Sequence, residues 1–97
     1  MTYVVVARWR PKDGEEAKLE GILRKLSIAA RTEPGCLEFI VNRSHDDPKD
    51  FLLYEQYADK EAFDVGHRGS AHFKSLVLEQ AIPILAQRDI KTYSILE

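Results

Sequence analysis

Apolar and polar positions alternate near both ends of the chain and recur at helical spacing between them. Residues 3–10, YVVVARWR, form a β-branched run flanked by aromatics, a composition that suits a pleated, half-buried strand. Pro11 cannot continue a ladder, and the KDG that follows marks a turn. Leu19, Ile22, Leu23, Leu26 and Ala30 then fall at offsets of three, four, seven and eleven, which stacks them on one face of a helix over about residues 15–31. TEPGC ends that helix, because Pro34 disfavours helix in Glu33 and Gly35 supplies a flexible turn. CLEFIVNR and FLLYEQY alternate again, and the short polar SHDDPKD between them predicts a hairpin.

After the hairpin the pattern becomes helical but broken. Asp59 stands at an N-cap position before KEAFDVGH, where Phe63 and His67 share a helix face. Gly66, Gly69 and Ser70 interrupt this segment, and AHFKSLVLEQAIPIL resumes with Phe73, Leu76, Val77 and Ala81 on one side. Pro83 leaves the end of that helix open. RDIKTYSILE alternates and predicts a fourth strand over residues 88–97.

The order is strand, helix, strand, strand, two helical pieces, strand: an α+β chain of ferredoxin-like βαββαβ order. Right-handed crossovers place the helices on one face of a four-stranded antiparallel sheet. Strands one and three are apolar in both parities, so the other face expects cover, and an identical sheet is the simplest partner. A homodimer is therefore expected.

With 97 residues, 44% of them hydrophobic, the chain fits a single domain over 1–97 rather than two. The net charge of −2, with no basic stripe, argues against nucleic acid as a partner. The apolar run in MTYVVVARWR is too short for a signal peptide or a membrane span, so a cytoplasmic location and no membrane partner are expected. Cys36 is the only cysteine and reads as a small buried hydrophobe, since no histidine stands near it in the pattern to activate it.

One stretch narrows the function. EPGCLEF at 33–39, YEQY at 54–57, DKEAF at 59–63 and the HxxxxHF spacing of His67, His72 and Phe73 resemble the antibiotic biosynthesis monooxygenase family, small dimeric α/β-barrel proteins, over essentially the whole chain. The resemblance implies a quinol monooxygenase-like activity: oxidation of a small aromatic hydroquinone or phenol by dioxygen, with no cofactor and no metal. The substrate then supplies the electrons.

That chemistry asks for an apolar pocket, a base for the phenolic proton and donors for developing charge. His67 and His72 are the candidate bases, because imidazole titrates near neutrality. His72 is preferred, since a helix start favours the neutral imidazole that accepts a proton. Phe63 and Phe73 are expected to wall the pocket, with Phe39, Tyr54, Trp9 and Arg8 as further substrate contacts. The plain alternative is packing: His67 as a core histidine, and the aromatics as filler of a small core. His45, in the polar SHDDP loop, reads as a solvated residue. His67 and His72 are five apart across a Gly-Ser break rather than four apart on one helical face, so no metal site is expected. Haem-degrading relatives carry an Asn on strand one and a Trp on the middle helix; here strand one has no Asn and Val65 stands about where that Trp would be. No GxGxxG or GxxxxGK[ST] offers a nucleotide a seat.

Two other readings stay open. Relatives that isomerise a phosphorylated ketone in quorum-sensing signal processing carry a similar middle-helix region, and Arg8, Arg43 or Arg68 would then hold the phosphate. The chain also suits a non-catalytic dimeric module that binds a small ligand.

Overall fold

The computed structural model describes residues 1–96. Its elements are β1 (Tyr3–Pro11), α1 (Glu16–Ala30), β2 (Cys36–Arg43), β3 (Phe51–Tyr57), helical segments over Ala62–His67 and Phe73–Ala81, a 3₁₀ turn over Ile82–Ile84, and β4 (Leu85–Ser94). The four strands form one sheet in the order β2-β3-β1-β4, with every neighbouring pair antiparallel. The fold is ferredoxin-like α+β, with the helices packed on one face.

The stripe on α1 does what its spacing predicts. Leu19, Ile22, Leu23, Leu26 and Ala30 are all buried, packed with Ala7, Trp9, Phe39, Phe51 and Leu53 of the sheet and with Val77, Ala81 and Ile84 of the second helical region. Alternation then turns Val6, Arg8, Leu52, Tyr54, Gln56 and Ile40 to the helix-free face. There Val6, Leu52 and Tyr54 are half-buried, whereas Ile40 and Tyr93 are 43% and 49% exposed. This face is less apolar than the sequence suggests, because Arg8 is spent on a two-pronged ion pair with Asp50.

Two strand boundaries differ from expectation. β1 runs on to Pro11, which is accommodated by a register shift between Arg10 and Pro11 at the end of the strand, where the absent N–H costs no ladder bond. β4 begins at Leu85 rather than 88, directly after the Pro83-containing turn, and is described to Ser94; Glu97, the last residue of the expected strand, lies outside the described residues. Among the described residues no helix is long and apolar enough to cross a membrane.

Candidate functional site

The site forms where the α1–β2 turn meets the broken helical region. Glu33 follows the last turn of α1, with its N–H donated to the Ala30 carbonyl, and its own carbonyl accepts from Cys36 N–H. Gly35 lets this turn lie against the Ala62–His67 segment: a Cβ there would stand 2.5 Å from the Cβ of Ala62. The Ala58 N–H closes the contact on the Gly35 carbonyl at 2.9 Å.

The helical region is not an α-helix. Asp59 caps its start as predicted, accepting from the Ala62 N–H at 2.8 Å. The coil then widens, so that Arg68 N–H reaches the Phe63 carbonyl five residues back at 3.0 Å. Such π-helical turns are rare and are found frequently at functional sites. Ser70 joins the two pieces: its hydroxyl donates to the His67 carbonyl at 2.7 Å and accepts from the Phe73 N–H at 3.1 Å. Gly69 is required at the bend, since a Cβ would meet the Val65 carbonyl oxygen at 2.4 Å.

This winding aims both histidines at one carboxylate oxygen. Glu33 Oε2 lies 2.7 Å from His67 Nδ1 and 2.5 Å from His72 Nε2. The side chains of His67 and Glu33 are 3% and 7% exposed, whereas that of His72 is 22% exposed, so His72 is the member that reaches the surface. Glu33 Oε1 is buried without a hydrogen-bond partner among the described residues. Around His67 stand Phe73, Phe39, Tyr57 and Phe63, with ring centres between 5.2 and 6.1 Å away. Burial in this aromatic shell pulls the His67 pKa down, although Glu33 pulls it up. Next to the shell, Tyr57 donates its hydroxyl to Glu55 Oε1 at 2.6 Å. Burial pushes the Glu55 carboxyl up to about 8 and the Tyr57 hydroxyl far above its usual range. Burial, with Glu33 and Glu55 nearby, also raises the Cys36 thiol to about 11, so it stays an unreactive thiol near neutral pH.

Of the residues singled out from sequence, His67, His72, Phe39, Phe63 and Phe73 come together. Trp9 lies in the main core instead. Tyr54, whose hydroxyl accepts from Gln56, and Arg8, paired with Asp50, lie on the opposite face of the sheet. His45 is exposed, as expected. Two sizeable cavities lie away from the histidines. One of about 450 Å³ opens between Val6, Arg8, Asp89, Ile90, Lys91 and Tyr93. Another, of about 350 Å³, lies beside Arg8, Asn42, Arg43 and Leu52.

The five-residue spacing does not keep the two imidazoles apart, for a physical reason. Five residues would separate the imidazoles on a continuous α-helix, but a widened coil followed by a bend at Gly69–Ser70 brings their ring centres to 6.1 Å. Sequence reasoning also missed Glu33 and gave Glu55 no role. The available signal was two histidines in an apolar setting, each in need of a partner, beside an acid at an apolar helix–strand junction.

Comparisons with known proteins identify the family and the fold. No curated protein matches the sequence. Among solved structures, a protein from Shewanella oneidensis is 28% identical with a TM-score of 0.87, over 95% of this chain and 88% of its own. Proteins from Nitrosomonas europaea and Pseudomonas aeruginosa are each 25% identical with TM-scores of 0.91. The first alignment covers 98% of this chain and 90% of the relative, the second 99% and 95%. The family model for antibiotic biosynthesis monooxygenases matches residues 2–77, and the chain belongs to that family.

Proposed function

We propose that this protein is a cofactor-independent monooxygenase that oxidises a small aromatic hydroquinone or phenol with dioxygen, with His72 as the base. The observation that carries the reading is the shared Glu33 oxygen. With Glu33 as the carboxylate its oxygen only accepts, so in this reading Nδ1 of His67 and Nε2 of His72 donate to it and leave Nδ1 of a neutral His72 as the proton acceptor. A carboxylate that orients an imidazole and stabilises its protonated form is the logic of many general bases. His67 is a positioning residue, buried behind Glu33.

The chemistry balances without another reductant. His72 takes the phenolic proton, and the electron-rich ring gives its electrons to dioxygen. A carbon–oxygen bond forms, the O–O bond breaks, and the second oxygen leaves as water, so that a hydroquinone and dioxygen become a hydroxyquinone and water. The proton held on His72 returns to the departing oxygen.

A phosphorylated-ketone isomerase is less well supported, since Arg8 is paired with Asp50 and Arg43 with Glu20. Arg68, the third of these arginines, lies 5.8 Å above the Phe63 ring. The reading includes a second copy packed on the helix-free face, where Val6, Leu52, Tyr54, Ile40 and Tyr93 supply apolar area. Sedimentation of the protein, wild type and Tyr54→Asp, tests that part.

The test of activity is dioxygen uptake by the metal-stripped protein on a panel of hydroquinones and dihydroxynaphthalenes, with a no-protein control. Uptake above the control that falls by about 10²–10⁴-fold in His72→Ala is expected for loss of a general base. No uptake above the control, or uptake that survives the substitution, would sink the reading.

A further inference from the structure

We propose that Glu33, His67 and His72 also form a binding site for one divalent transition-metal ion of the zinc class, a use of the cluster apart from proton transfer. Two imidazoles and one carboxylate, drawn from two separate parts of the chain, present donor atoms that all lie within 4.8 Å of one another. Such a set of two nitrogens and one oxygen suits zinc, cobalt(II) or iron(II), whereas magnesium and calcium want oxygen alone.

A second observation points to a ligand. Among the described residues Glu33 Oε1 has no partner, on a side chain only 7% exposed. An orphaned buried acceptor is costly, and a cation held by both oxygens of the carboxylate removes that cost. Around a tetrahedral ion with bonds near 2.1 Å, ligand atoms stand roughly 3.4 Å apart. The present separations from Oε2 are 2.7 and 2.5 Å, so those two contacts must open by less than about 1 Å, within a set of donors that already lies inside 4.8 Å. His72, whose side chain reaches the surface, can swing to allow it. Three protein ligands leave a fourth position for water or a small anion.

Binding itself does not depend on the oxygenase reading, although one consequence does: an ion on His72 removes the base, so the loaded protein would not oxidise hydroquinones. The two ideas therefore fail separately, because binding is measured with no aromatic substrate present.

The experiment titrates the metal-stripped full chain with cobalt(II), read by visible absorption, and with zinc(II), read by calorimetry. Magnesium serves as a control, and His72→Ala, Glu33→Gln and His45→Ala are carried alongside, each checked for fold by circular dichroism. One ion per chain is expected, with affinity at least roughly 10-fold weaker in His72→Ala and Glu33→Gln and unchanged in His45→Ala. If Glu33→Gln does not fold, His72→Ala decides alone. An absence of cobalt and zinc binding, or binding that survives His72→Ala, overturns the proposal.

Discussion

Helix α1 and the Ala62–Ala81 region cover the same sheet face, but one is regular where the other is widened, broken and buries a histidine among its apolar residues. α1 buries five apolar residues and one serine, whose hydroxyl is satisfied by the Arg24 carbonyl. The later region buries His67 and bends at Gly69–Ser70, and His67 closes against Glu33. The first arrangement supplies hydrophobic stabilisation. The second gives some of it up to hold ionisable groups together in a dry setting, where their interactions are strongest. Stability and chemistry are thus concentrated in different parts of a small fold.

The sharpest way to separate them is pH. In the folded chain burial keeps the Glu55 carboxyl protonated up to about 8, whereas in the unfolded chain it ionises near 4.5. Between those values the folded state holds the extra proton, so this group's contribution is fully present below about 4.5 and is lost as pH rises through about 8. The expected slope is about 1.4 kcal/mol per pH unit, or several kcal/mol across the window. Urea unfolding across that range should show the decline in the wild type and a much flatter profile in Glu55→Gln.

Leu23→Ala probes the regular side. Leu23 is 1% exposed in the main core, and its truncation should cost about 2–5 kcal/mol in urea midpoint analysis. Dioxygen uptake per folded molecule should stay unchanged, because Leu23 belongs to the main core and takes no part in the Glu33–His67–His72 hydrogen bonds. A loss of uptake matching that of His72→Ala would mean that the two regions are not separable.

Gly35→Ala sits at the junction. The new methyl meets the Ala62 Cβ, so the turn that carries Glu33 must move, at a cost of about 1–3 kcal/mol. Here uptake should fall out of proportion to stability. The smallest effect belongs to the surface: Glu20→Gln breaks solvent-exposed pairs with Arg24 and Arg43, and the unfolding midpoint should move within experimental scatter.

What could be read from the sequence follows the same division. The α1 stripe, the hairpin, the Asp59 cap and the element order were legible because period and turn chemistry act locally. The Glu33 contacts were not, because a partner 34 and 39 residues away leaves no periodic trace. The approach of His67 to His72 was hidden by assuming regular helical spacing where the backbone takes five-residue steps. Trp9, Tyr54 and Arg8 were drawn to the site by residue type alone, and strand parity and an ion pair with Asp50 place Tyr54 and Arg8 on the other face.

The central claim is that one buried carboxylate orders both imidazoles. It is tested most directly by nitrogen-15 NMR of the histidine ring nitrogens in wild type and Glu33→Gln. Hydrogen-bonded N–H signals are expected from Nδ1 of His67 and Nε2 of His72, both shifting in the variant, while His45 stays unmoved. Ring signals from His67 and His72 that match those of His45 and ignore the substitution would contradict the account.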